Sequence, residues 1–237
     1  MTFMALMLES RLSSLKLRLE PLYDAASGEI VGCETRWELL DDGRTLDATG
    51  LLRDAYMHEE DGLLDRWMLR SALAIAREFA HVRPGARVHA DVRGITRIDP
   101  ARELYRWLRA LRPQAGDLAL ALEIDERYLL PHFETLGGFT RAVRRLGIEI
   151  VIDQAIGRPG VEEALRRVHC DAIKIDDDLV AAIEGDATAR ARVAGIVACA
   201  HAHGMYAIAA GVYDRETLER VRELGCDRVQ GLAAFPT

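Results

Sequence analysis

The feature that most limits what this chain can fold into is the order of its second half, where short apolar runs each end on a polar residue and pass into a helical segment. The runs are 118–126 (LALALEIDE), 148–154 (IEIVIDQ), 171–178 (DAIKIDDD), 206–212 (YAIAAGV) and 228–232 (RVQGL). Their apolar residues are continuous rather than alternating, so both faces of each strand must be covered, as in a parallel sheet enclosed by helices. The segments between them carry helix punctuation. In 133–147, Phe139, Val143 and Leu146 share one stripe and Gly147 ends it, while 214–225 opens on an Asp214 cap and stops at Gly225. From Asp178 to Gly204 runs an Ala-rich helical stretch broken near Gly185, and further helical stretches read at 50–60, 63–82, 101–111 and 161–168.

Alternation at this spacing within 237 residues fits a single (β/α)8 TIM barrel, an α/β fold of about 250 residues. The front departs from it. Residues 15–24 (LKLRLEPLYD), a Ser27-Gly28 turn and 29–39 (EIVGCETRWEL) read as an antiparallel hairpin. The expectation is therefore a barrel over 15–237 with one antiparallel strand near the N-terminus, preceded by a segment at 1–14. That segment has neither a basic start nor the length to span a membrane, so it reads as a helix start, a docking segment or the stub of a larger protein. A hydrophobic content of 49% supports one large core, and a net charge of −7 argues against polymeric nucleic acid held on a basic face. A small anionic nucleotide is still compatible with a locally positive pocket. Cys33, Cys170, Cys199 and Cys226 lie far apart with no CxxC spacing, which reads as reduced, packed thiols and a cytoplasmic setting.

Barrel active sites form at the carboxyl ends of the strands. There this sequence places Glu34, His89, Glu123, Asp153, Gln154, Lys174, Asp176, Ala210 and Gln230. A lone acidic residue at a strand end is usually a helix cap, but several on consecutive strands make an oxygen-rich divalent-metal site.

In its order of segments the chain resembles the EAL domains, which hydrolyse the bacterial second messenger cyclic di-GMP to linear pGpG. The resemblance covers about 15–237 and rests on EPLYDAASGEIVGCETRWE, EEDGLLDRWML at 59–69, LEIDE at 122–126, GIEIVID at 147–153, CDAIKID at 170–176, AIAAGV at 207–212 and VQG at 229–231. In active members two metal ions on acidic strand-end residues activate the attacking water. The resemblance implies that Glu34, Glu123 and Asp153 are metal ligands and that Lys174 lies near that water. It further implies that Gln230 helps hold the site and that Glu126 steadies the neighbouring loop.

The departures are as informative. The family's phosphate-binding arginine is Glu38 here, its metal-binding asparagine is read as His89, the second of its paired aspartates is Gln154, and the glutamate of its penultimate strand end is Ala210. Gln154 lacks the charge a second divalent ion needs and Ala210 offers no ligand, so the two-metal reaction should fail. Glu34, His89, Glu123 and Asp153 would still make a single divalent site, and its imidazole favours manganese, iron or zinc over magnesium. The alternative for His89 is a hydrogen-bonded barrel residue. Lys174 is one of only two lysines among 31 basic residues, and it either serves the chemistry or neutralises the carboxylates around it.

These readings converge on a catalytically degenerate EAL domain of the bacterial cytoplasm that requires no cofactor and works through a protein partner, with a homodimer also open. Polymeric nucleic acid and membrane are not expected partners. Two alternatives stand beside it. One is a receptor that binds cyclic di-GMP weakly, without cleavage, through Glu34, Glu38, Asp153, Gln154, Lys174 and Gln230. The other is a weak phosphodiesterase that uses one metal.

Overall fold

The computed structural model describes residues 15–41, 44–47, 61–115 and 119–231. The expected segment at 1–14 and the expected helix at 50–60 lie outside them. The chain opens with a hairpin of β1 (Leu15–Asp24) and β2 (Ile30–Asp41), to which a short β3 (Arg44–Asp47) is added as an antiparallel edge that the sequence reading did not include. The hairpin turn is tied by Asp24, whose carboxylate accepts the backbone N–H groups of Ala26 and Ser27. Helix α1 (Asp61–Val82) then leads to β4 (Arg87–Asp91), and α2 (Ile98–Ala115) to β5 (Leu120–Asp125). Next come α3 (Leu129–Arg144), β6 (Glu149–Ala155), the single-turn α4 (Val161–Leu165) and β7 (Ala172–Ile175). The chain closes with α5 (Asp177–Ala181), α6 (Ala187–Ala202), β8 (Tyr206–Ala209), α7 (Arg215–Glu223) and β9 (Arg228–Gln230).

The strand order is β1-β9-β8-β7-β6-β5-β4-β2-β3, and pairing of β1 with β2 closes eight of these strands into a barrel. Strand β1 is antiparallel to both neighbours, whereas the other barrel strands run parallel. This is the TIM barrel with one reversed strand that the sequence led us to expect. The expected helix break near Gly185 is present, since α5 passes through a 3₁₀ turn (Ala182–Glu184) before Asp186 caps α6. Gly147 and Gly225 take left-handed φ values of 78° and 88° after α3 and α7, a conformation open to glycine without steric cost.

Two apolar layers hold the barrel. Outward residues of the strands pack under the helices, with Phe139, Val143 and Leu146 of the expected stripe all buried. Inward residues Leu22, Ala121, Val151, Ala172 and Ile208 fill the middle of the lumen. Because side chains alternate along a strand, the positions two residues further along face the lumen again, at the mouth.

Candidate active site at the barrel mouth

At the mouth Lys174 of β7 occupies the centre of the network. Its Nζ lies 2.6 Å from Glu123 Oε2, 2.9 Å from Glu34 Oε2 and 3.2 Å from Asp153 Oδ1, and the side chain is only 2% exposed. Gln230 of β9 also donates its Nε2–H to Glu34 Oε2. The other oxygen of Glu34 faces Arg36, two residues further along β2. The Arg36 Nε is 3.1 Å from Glu34 Oε1 and 3.1 Å from Glu20 Oε2. Antiparallel register sets Glu20 directly across from Glu34, and one guanidinium thus bridges two carboxylates that would otherwise repel.

The electrostatics follow from burial and from these cations. Burial opposes ionisation of Glu34, but Lys174 and Arg36 outweigh it and hold the carboxyl down at about 2. Burial also works against the charge on Lys174, and the three surrounding carboxylates overcome it, keeping the ammonium protonated well above its usual range. Glu123 is pushed up to about 8 by burial and by the charge of Glu34. Asp153 rises to about 7, chiefly through burial with Glu123 and Glu34 adding to it, and Asp91 to about 6 through burial and the charge of Asp153. Lys174 and Arg36 balance part of this acidic set, and protons that Glu123 and Asp153 retain near neutral pH balance the rest.

Asp91 and Arg36 are the two functional-type side chains that sequence reasoning missed. His89 was placed at the rim, yet register puts it one layer deeper. In the β4–β5 pairing His89 is level with Ala121, whereas Asp91 is level with Glu123. His89 is fully buried, its Nδ1 lies 2.8 Å from Glu123 Oε1, and burial together with Lys174 lowers it to about 3. It is therefore a neutral imidazole oriented by Glu123. Oxygen atoms of Asp91, Glu123 and Asp153 all lie within 4.8 Å of one another, the geometry of a single cation site at the mouth. Of the residues expected from sequence, Glu123 and Asp153 belong to this group, while Glu34 is bonded to Lys174, Gln230 and Arg36 and His89 lies one layer below. The parity of β4 carried the signal, because Asp91 faces the lumen two residues beyond His89.

The remaining candidates are spread outward. Gln154 sits in a bulge of β6 with a left-handed φ of 51°, is exposed, and accepts a hydrogen bond from Arg127 Nη2 at 2.9 Å. It contributes nothing to the carboxylate cluster. Ala210 has only a methyl group to present. Glu38 is one strand step beyond Arg36 and pairs with Arg18 at 3.7 Å. Glu126 is buried, and its carboxylate accepts the backbone N–H groups of Ile156, Gly157 and Arg158 at 3.3, 3.1 and 3.4 Å, with the Arg158 guanidinium 3.3 Å away. The loop following β6 is thus held from beneath by one carboxylate.

The sequence profile of the EAL domain matches residues 5–236. This chain is an EAL domain. Among curated proteins it is 27% identical over 227 residues to the cyclic di-GMP phosphodiesterase NbdA of Pseudomonas aeruginosa, covering 92% of this chain and 28% of that protein. It is 25% identical over 240 residues to an uncharacterized protein of Azorhizobium caulinodans, covering 94% and 31%. The chain therefore spans only about three tenths of the curated relatives it matches. Among solved structures, the PaMucR phosphodiesterase in its c-di-GMP complex superposes with a TM-score of 0.86 at 20% identity, covering 99% of this chain and 97% of that one. The FimX EAL domain of Pseudomonas aeruginosa bound to c-di-GMP gives 0.82 at 19% identity, with coverage of 96% and 91%. At these identities the superpositions establish the fold. No helix among the described residues of this EAL domain is long and apolar enough to cross a membrane.

Proposed function

We propose that this EAL domain does not perform two-metal phosphodiester hydrolysis and acts through a protein partner in a cyclic di-GMP-related pathway. The observation that supports this most is the internal charge compensation of the mouth. Lys174 lies within hydrogen-bonding reach of Glu34, Glu123 and Asp153, and Arg36 takes the free oxygen of Glu34. Two divalent ions do not fit this residue set, because Gln154 is neutral and engaged by Arg127, and Ala210 supplies no ligand. Asp91, Glu123 and Asp153 are the residues that would hold one ion, which would supply Lewis-acid charge beside a bound phosphate. Purified protein incubated with cyclic di-GMP and magnesium or manganese is expected to yield no pGpG. Metal-dependent pGpG formation that is abolished by Glu34→Ala would overturn the proposal.

The surface proposed for the partner is the loop at 156–158. Its backbone is bonded to Glu126, so little order is lost when a partner docks. In cells, Ile156→Asp combined with Arg158→Glu is expected to remove the domain's regulatory effect while the protein stays folded, and the lumenal Glu34→Gln is expected to preserve it. The reverse pattern favours a ligand-binding role.

A second reading, a non-hydrolysing cyclic di-GMP receptor, is favoured by Arg36. Its side chain is 46% exposed at the mouth, two residues from the Glu38 that stands where the family carries its phosphate-binding arginine. Calorimetric titration with cyclic di-GMP distinguishes this reading. A receptor would bind at least about tenfold more tightly after Glu38→Arg, about 1.4 kcal/mol, and more weakly after Arg36→Ala.

A further inference from the structure

At the opposite end of the barrel, under the N-terminal ends of β4 and β6, the last turn of α3 and the segment before β7 border an open pocket of about 680 Å³. Its wall carries four arginines, Arg87, Arg141, Arg144 and Arg145, together with His169. Two carboxylates also face it, and both are already engaged. Glu149 Oε1 is 2.6 Å from Arg87 Nε, while its Oε2 accepts the hydroxyl of Tyr206 at 2.6 Å. Asp171 pairs with Arg144 through both Nε and Nη2, with a shortest distance of 2.7 Å, and also accepts the backbone N–H of Ile150. No carboxylate among the described residues pairs with Arg141 or Arg145. Arg141 instead donates to the ring nitrogen Nε2 of His169 at 3.3 Å.

This concentration of positive charge stands out in a chain of net charge −7. Basic residues at the end of α3 do answer the carbonyls of its last turn. That complement extends to Arg141 and Arg144 of the last turn, but it does not account for Arg87 reaching in from β4 or for the pairing of Arg141 with an imidazole. The guanidinium of Arg87 is fixed by Glu149 and by the carbonyl of Gly147, and that of Arg144 by Asp171, so two planar forks are already oriented before any ligand arrives. The volume is that of a small-molecule site, and among its charged lining residues four arginines face two carboxylates.

We propose that this pocket is a second ligand site, separate from the barrel mouth, for a small soluble molecule carrying two or more linked phosphates. Arg141 and Arg145 supply the unpaired charge, and Arg87 and Arg144 flank it. The probe is inorganic pyrophosphate, titrated calorimetrically into the intact protein and into Arg141→Gln/Arg145→Gln, with the melting midpoint of each recorded. Wild type is expected to bind pyrophosphate with a Kd below about 1 mM, and the double variant at least about tenfold more weakly with an unchanged midpoint. Glu34→Gln, at the far end of the lumen, should bind pyrophosphate like wild type. The proposal is overturned if wild type shows no heat of binding, if the double variant binds equally well, or if only vesicles containing anionic phospholipid, and not free pyrophosphate, are bound. Should the double variant melt early, Arg145→Gln alone carries the test, with a several-fold loss expected and none overturning it.

Discussion

Both ends of the barrel lumen are built from charged side chains, but they handle the charge in opposite ways. At the mouth Lys174 is 2% exposed and bonded to three carboxylates, and Arg36 closes onto Glu34 and Glu20. At the base Arg87 and Arg144 hold Glu149 and Asp171 at partly exposed positions, and Arg141 and Arg145 have no carboxylate partner. The difference teaches how far burial dictates pairing. A charge removed from water must be compensated where it stands, and losing its partner is costly. A charge at the rim is screened and can be left for an outside partner at little cost. The mouth consequently balances its charges internally, while the base presents surplus charge outward.

The largest expected effect tests that contrast directly. Lys174→Met strands three carboxylates and should lower stability by about 3 to 5 kcal/mol, measured by urea unfolding at pH 7. Part of the loss should return at acidic pH, as Glu34, no longer held ionised by Lys174, takes up a proton. Arg144→Gln, which breaks the ion pair at the base, should cost about 1 kcal/mol or less. Equal losses in the two variants would break the comparison.

Glu126→Ala should come next, at about 2 kcal/mol, because three backbone donors lose a charged acceptor. Hydrogen exchange provides the local readout. Amides 156–158 should exchange much faster while those of β5 stay protected, and uniform acceleration would mean that Glu126 supports the whole barrel rather than one loop.

A smaller effect concerns pH. Asp91 is raised in the folded protein from an ordinary 3.8 to about 6, so between these values the folded state holds a proton that the unfolded state has released. By linkage its contribution is fully present below about pH 4 and is lost as pH rises through about 6. Asp91→Asn removes this term, so stability measured from pH 4 to pH 7 should fall less steeply than in wild type, by about 1 kcal/mol over the window once the partial exposure of the side chain is allowed for. An unchanged slope would show that Asp91 is not part of the coupled carboxylate set. The smallest effect is expected for Arg145→Gln, within about 0.5 kcal/mol of wild type in the same unfolding experiment, because its charge lies at an exposed position without a carboxylate partner.

The sequence alone was sufficient for the architecture. Uninterrupted apolar runs, a glycine after each long helical stripe and an antiparallel hairpin at the front are local signals, read within windows of ten to fifteen residues, and each reports burial on both faces or a helix end. The barrel, its reversed β1 and the break before α6 follow from them. Charge types at the mouth were legible for the same reason, since Glu123, Asp153 and Lys174 stand near the ends of their strands, although Glu34 lies within β2 rather than at its end.

Tertiary structure decided which of those groups meet. His89 and Asp91 are both lumenal residues of one short strand, and only the register of β4 against β5 puts Asp91, not His89, beside Glu123. Arg36 had no assigned role in the sequence because its importance depends on β1 laying Glu20 across from Glu34. The meeting of Lys174 with Glu34, Glu123 and Asp153 rests on three contacts spanning 21 to 140 positions of chain. Hydrophobic periodicity is local, and a chain displays it residue by residue. Charge pairing inside a closed barrel depends on strand register around the whole circumference, and that is settled only when the last strand meets the first.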